Sequence, residues 1–172
     1  GVAVDAARRM AIEALGQEIA ASDTGPFPKG ALLLEGEAWE AEALAEALAA
    51  SRRADTAAGR TTVGPHRSDL AVTHLAKDQP AARASTGEQK ALLLGLVLAH
   101  ARVVAARTGR RPVLLLDEVA AHLDETRRAA LFAMLEADAM QVWMTGTDVS
   151  LFRAIGADAT YIDVSNGRLS RL

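Results

Sequence analysis

The sequence contains no cysteine. That excludes a disulfide frame and any thiolate metal site, and it suits a reducing compartment. Long hydrophobic runs are missing too. The longest uninterrupted one, Ala91 to Ala99, falls far short of the ~18 residues that a membrane span needs. No charged leader followed by an apolar stretch opens the chain, so no signal peptide is expected and the expected location is the cytoplasm. There is no basic tail, and the net charge is -3; any contact with a polyanion must therefore be local. The four histidines, His66, His74, His100 and His122, show no helical metal spacing with an acid partner, so no zinc site is expected. No internal repeat is found. Nor is there a G-x-x-x-x-G-K-[ST] phosphate loop: "GPFPKGALL" from Gly25 lacks both the spacing and the Lys-Ser/Thr end.

What is present is 172 residues, half of them hydrophobic, enough for one domain with a core. Val4, Ala7, Ala11, Ile12, Leu15 and Ile19 recur at helical spacing and predict an amphipathic helix over Val2 to Ala21. "SDTGPFPKG" breaks it. Ala31 to Glu35 is ambiguous and reads as a strand, and a second helix is expected from about Ala38 to Arg53. "GRTTVGPHRSDLAVTH" from Gly59 predicts two strand segments joined by a loop at Gly64 to Arg67, with one more short strand over Pro80 to Ala84. From Ser85 the pattern becomes helix (Thr86 to Arg107), strand (Val113 to Leu116), helix (Glu125 to Ala137), strand (Gln141 to Met144), and a short helix to Ala154. A hairpin closes the chain around "SNG". Strands alternating with helices argue for a parallel sheet. Trp39, Trp143 and His100 are expected to be packed.

Two stretches carry chemistry. "PVLLLDEVAAHLD" from Pro112 is an apolar strand without polar alternation, expected to be buried on both faces, and it ends in Asp117 and Glu118. Ligands bind at the carboxyl edge of open α/β sheets. An Asp there suits Mg²⁺, with the next Glu polarising a water for ATP hydrolysis; the plainer reading is a core strand running into an acidic solvated loop. "ASTGEQKALLLGL" from Ala84 places Ser85 three residues before Glu88, a capping box. Gly87 leaves the backbone open. A helix start of this kind is either an anion site or simply a cap.

Together, "GRTTVGPHRSDL", "STGEQKALLLGLVLAHA", "LLLDEVAAHLD" and "WMTGTD" resemble the heads of ABC-type ATPases, and more closely the RecF family of recombinational-repair ATPases related to SMC heads. The resemblance implies an α/β fold: an ABC-type ATPase head fragment, a P-loop NTPase fold lacking its N-terminal phosphate-loop half, with a helical lobe over residues 1–58 and the C-terminal part of the ATPase lobe over 59–172. It implies that the chain is the C-terminal half of a longer protein, inactive by itself. Asp117 would be the Mg²⁺ ligand and Glu118 the hydrolytic base. Ser85, Thr86, Gly87, Glu88 and Gln89 would form the signature motif, which contacts ATP held by the other protomer. The usual pattern is L-S-G-G-Q; here Ala84 stands in place of the Leu, Thr86 of the first Gly and Glu88 of the Gln. His122, Leu123 and Asp124 would be the D-loop. The switch histidine is replaced by Thr147, leaving Thr145 or Thr147 to donate to the γ-phosphate. Arg67, then Arg60, are the DNA-contact candidates, against the plainer reading of a solvated basic face. The implied cofactors are ATP and Mg²⁺. The implied partners are DNA at gaps and single-strand/double-strand junctions, RecO, RecR and RecA, and a second copy in an ATP-dependent homodimer, with no membrane. The rivals are another SMC-like or transporter-type head, and a non-catalytic scaffold for DNA or RecR.

Overall fold

The computed structural model describes residues 1–23, 25–156 and 159–172; Thr24, within the break after the first helix, lies outside them. The chain forms two compact units, Gly1–Arg110 and Arg111–Leu172. The division expected after Ala58 falls inside the first unit.

In the first unit, helix α1 (Val2–Ala21) packs on helix α3 (Thr86–Thr108) and on strand β1 (Gly30–Glu35). β1 pairs antiparallel with β2 (Asp69–His74), Gly30 opposite His74 and Glu35 opposite Asp69, and β2 pairs with the short β3 (Gln79–Pro80). Helix α2 (Ala41–Ala58) lies between β1 and β2 in sequence. It stops because Gly59 adopts φ +62 and donates back to the carbonyls of Asp55 and Thr56, the left-handed helix end that glycine tolerates best. α3 starts on the Ser85 capping box and ends at Gly109, also left-handed. Ala91, Leu92, Leu94, Leu98, Ala99 and Ala101 of α3 are buried. By length and composition alone α3 qualifies as a membrane-crossing helix, which counting only unbroken apolar runs misses. Its packing against α1 is what a core helix makes.

Several expectations for this unit are corrected. Of the two strand segments expected within Gly59 to His74, only the second forms, as β2; Thr61 to Val63 are not part of a sheet. The Asp55 carboxylate accepts from both the amide and the hydroxyl of Thr62, at 2.8 and 2.6 Å, and so ties the segment to the end of α2. The residues expected as a strand over Pro80 to Ala84 are mostly a 3-10 turn, Ala81–Arg83. α2 starts after Trp39, which is buried, whereas His100 is exposed. Near Trp39 lies a feature the hydrophobic pattern does not mark: Asp5 is buried, pairs with Arg9 at 2.9 Å and accepts from the Trp39 amide.

The second unit is built on a parallel pair, β4 (Leu114–Leu116) and β5 (Val142–Met144), joined through helix α4 (Glu125–Asp138). Asp124 caps α4, its Oδ1 accepting from the Arg127 amide at 2.8 Å. Leu114, Leu116, Leu123, Leu131, Phe132, Leu135 and Phe152 are buried, and the Phe132 and Phe152 rings stack at 6.3 Å. The short helix expected to reach Ala154 is a 3-10 turn over Val149–Phe152. β6 (Ile162–Ser165) and β7 (Arg168–Arg171) form the expected hairpin, turned by Asn166 and Gly167 at φ +52 and +72, a mirror-image turn matching strand twist. β4 is not buried on both faces. Leu115 is 77% exposed and Trp143, its register partner, 54%. The two lie on one face of the pair, and both side chains are largely exposed. Trp143 is therefore not a core residue of this chain.

Leu131 is fully buried. Leu131→Ala should lower the unfolding free energy by about 3 kcal/mol, read as a fall in the urea midpoint; an unchanged midpoint would show that α4 does not anchor this core.

Candidate functional site

The carboxyl end of β4 places Asp117 and Glu118 where the strand stops. Asp117 is exposed and Glu118 half-buried. The ladder with β5 continues one step further, as the Thr145 amide donates to the Leu116 carbonyl at 3.1 Å. This sets the Thr145 side chain beside the acids. Its Oγ1 donates to Asp117 Oδ1 at 2.5 Å and accepts from the Glu118 amide at 3.0 Å. Glu118 takes φ +53, a region that non-glycine residues adopt sparingly. Asp117 Oδ2 accepts no hydrogen bond among the described residues and is left for a cation; no group of three metal-ligating side chains gathers among those residues, so Mg²⁺ would need substrate phosphates as its further ligands. A single carboxylate beside substrate phosphates is the usual way this ion is held.

Beyond Thr145, Gly146 is pressed against Phe152: a Cβ there would lie 2.7 Å from the ring. Thr147 is exposed. Asp148 caps the following turn through the Ser150 amide at 2.8 Å, which holds its carboxyl below the usual range. After the acids, His122 closes a 3-10 turn and is exposed, Leu123 is buried, and Asp124 is committed to its cap. Arg128 Nη1 donates to the Leu123 carbonyl at 3.1 Å and so braces the segment proposed as the D-loop; the sequence pattern does not single it out.

The start of α3 belongs to the first unit. Ser85 and Thr86 are exposed, Gly87 and Glu88 half-buried. The box is reciprocal: Ser85 Oγ accepts from the Glu88 amide at 3.4 Å, and Glu88 Oε2 accepts from the Ser85 amide at 3.0 Å and from its hydroxyl at 2.9 Å. The amides of Thr86 and Gly87, in the first turn, have no helical acceptor. Gln89 is spent on the preceding turn, donating to the carbonyls of Ala82 and Ala84, both at 3.1 Å.

Sequence reasoning missed Lys77, whose Nζ lies 2.6 Å from Glu88 Oε1, with His74 Nε2 at 3.9 Å. Lys77 and Ser85 together pull the Glu88 pKa from 4.5 down to about 2. Glu88 is thus an ionised, compensated cap. Arg60 and Arg67 are both exposed. The turn carrying Arg67 is held by Arg8, which donates to the Pro65 carbonyl at 2.6 Å.

No protein-family model matches the chain. The DNA replication and repair protein RecF of Rhizobium meliloti is 55% identical over 155 residues, covering 85% of the chain and 41% of that relative. RecF of Brucella abortus is 50% identical, covering 99% of the chain and 47% of the relative. The chain belongs to the RecF family. It spans about half the length of these curated RecF relatives and corresponds to their C-terminal portion. Among solved structures, the recombination mediator protein RecF with ATP, of the RecFOR pathway, superposes with TM-score 0.73 at 23% identity over 100% of the chain and 47% of that protein. A structure from work on ATP-driven dimerization and DNA-stimulated activation of SMC ATPases gives TM-score 0.59 at 16% identity, over 98% of the chain and 88% of that one. These likenesses show the fold, that of RecF and SMC ATPase heads.

The Glu88 shift carries a pH dependence. A carboxyl with a lowered folded-state pKa contributes stability that is complete above its unfolded value and lost as pH falls through the folded one. For Glu88 the window runs from pH 4.5 down to about 2. Urea titrations across that window should show a shallower acid loss for Glu88→Gln than for the native chain; equal slopes would mean that the box and Lys77 do not hold Glu88 ionised.

Proposed function

We propose that this RecF-family chain supplies, in its full-length protein, two parts of an ATP site shared between two subunits of a DNA replication and repair protein. One part is the acid pair at the end of β4. Asp117 would hold Mg²⁺, and Glu118 would accept a proton from the attacking water. When bound, the ion neutralises charge on the terminal phosphates. The other part is the start of α3, whose first-turn amides, with Ser85, Thr86 and Gly87, would meet the γ-phosphate of ATP on the partner subunit. Thr147, exposed just after β5, is the candidate to sense that phosphate. His122, Leu123 and Asp124 would face the partner.

The observation that supports this reading best is the acid pair itself: two consecutive carboxylates at the carboxyl end of a parallel strand, one of them hydrogen-bonded so that an oxygen is left for a cation. The presence of Glu118 weighs against a scaffold with a vestigial site. The apolar face of Val113, Leu115 and Trp143 fits the same reading, since both faces of a parallel sheet are normally covered and the chain spans about half of a RecF protein. In that larger protein, ATP binding would close a homodimer on DNA at gaps or single-strand/double-strand junctions, with Arg67 and Arg60 as backbone contacts, in support of RecA loading with RecO and RecR in the cytoplasm. The division into a helical lobe over residues 1–58 and an ATPase part over 59–172 belongs to this proposal.

Full-length Glu118→Gln protein tests it. Removing the proton acceptor should slow ATP hydrolysis by about a hundredfold and leave an ATP-bound dimer that persists in sedimentation. Unchanged hydrolysis, or no ATP-dependent dimer with either protein, would contradict the reading.

A further inference from the structure

We propose that Thr145 is a positioning residue for the acid pair: its hydroxyl, placed by the β4–β5 register, holds Asp117 and Glu118 in their working arrangement at the same time. The inference rests on the reading of that pair as metal ligand and hydrolytic base, and deepens it by naming what keeps the two acids in place.

The geometry has a polarity that only a hydroxyl supplies. A hydroxyl carries one proton and two lone pairs. Thr145 gives the proton to Asp117 Oδ1 and takes the Glu118 amide on a lone pair. The first bond fixes the Asp117 carboxylate and leaves Oδ2 for a cation. The second satisfies the amide of a residue held at φ +53, a backbone state that persists only where its surroundings enforce it. Thr145 is itself anchored through its amide to the Leu116 carbonyl at 3.1 Å. On the far side Gly146 lies against Phe152, which stacks on Phe132. The hydroxyl is therefore held against the acids from strand, loop and core. Since its single proton is given to Asp117, Thr145 has none for a phosphate, and that task passes to Thr147.

The test uses full-length protein with Thr145→Val, which keeps the shape and removes the hydroxyl, and Thr145→Ser, which keeps the hydroxyl and removes a methyl. In Thr145→Val, hydrogen–deuterium exchange of the Glu118 amide, measured without nucleotide, should speed up by about tenfold or more, and kcat for ATP should fall by about tenfold with KM within about twofold. Thr145→Ser should stay within about threefold on every measure. If Thr145→Val does not fold, Thr145→Ala carries the same expectations. The proposal is overturned if the Val or Ala variant exchanges and hydrolyses as the native protein does, or if Thr145→Ser loses as much as they do, since the effect would then be packing. Glu118→Gln separates the two claims. If that variant hydrolyses ATP at the native rate, the hydrolytic role of Glu118 fails, while the exchange rates alone still decide whether Thr145 holds this backbone.

Discussion

The parallel register of β4 on β5 is the constraint on which the candidate site depends. Leu116 pairs with Met144, and the next residue along each strand is Asp117 on one and Thr145 on the other. Side chains alternate with period two, so a slip of one residue would send Thr145 to the opposite face and leave both acids unsupported. Parallel pairing requires a long crossover, and α4 supplies it, started cleanly by Asp124 immediately after the acid loop. Packing of Leu131, Phe132 and Phe152 then holds the crossover and the loop after β5 in one small core. Register, crossover and core serve one end: the placing of two carboxylates.

The start of α3 follows a different logic. A helix N-terminus attracts anions through its free amides and its dipole, yet this one already contains an ionised carboxylate. Glu88 sits within the first turn and stays charged because Lys77 and Ser85 stabilise the anion. The charge of Lys77 offsets that of Glu88, so the dipole still faces outward at Thr86 and Gly87. Glu88 thus has a lysine at hydrogen-bond distance, and the two charges compensate each other. Glu88 and Gln89 act inward on the cap and the preceding turn, and Thr86, exposed, and Gly87, half-buried, keep first-turn amides without a helical acceptor.

Much of this was legible in the sequence because it is written locally. α1 runs over Val2–Ala21 as its apolar spacing indicates; the caps at Ser85 and Asp124 and the turn at Asn166-Gly167 follow from residue chemistry within three or four positions. What was illegible depends on distant partners. Thr61 to Val63 have strand-like composition, but Asp55 captures Thr62 and overrides it. Leu115 and Trp143 read as core because apolar parallel strands normally are, whereas burial also needs a covering element, and within their own unit both side chains stay largely exposed. Asp5 was invisible because a buried acid depends on Arg9 and the Trp39 amide being in place. In the site itself, the acids and the cap stand out as motifs. The contacts that organise them, Thr145 to Asp117 across 28 positions and Lys77 to Glu88 from a separate turn, require the register and the fold to be known first.

In the proposed dimer, the start of α3 on one subunit and the acid pair on another complete the same ATP site. Mixing two inactive full-length proteins tests it most directly: one with Ser85→Arg, which blocks the helix start, and one with Asp117→Asn, which removes the metal ligand. In a twofold dimer with shared sites, an equal mixture restores one complete site in each mixed dimer, and ATP hydrolysis should return to about a quarter of the native rate. A mixture as inactive as its separate components would contradict the account.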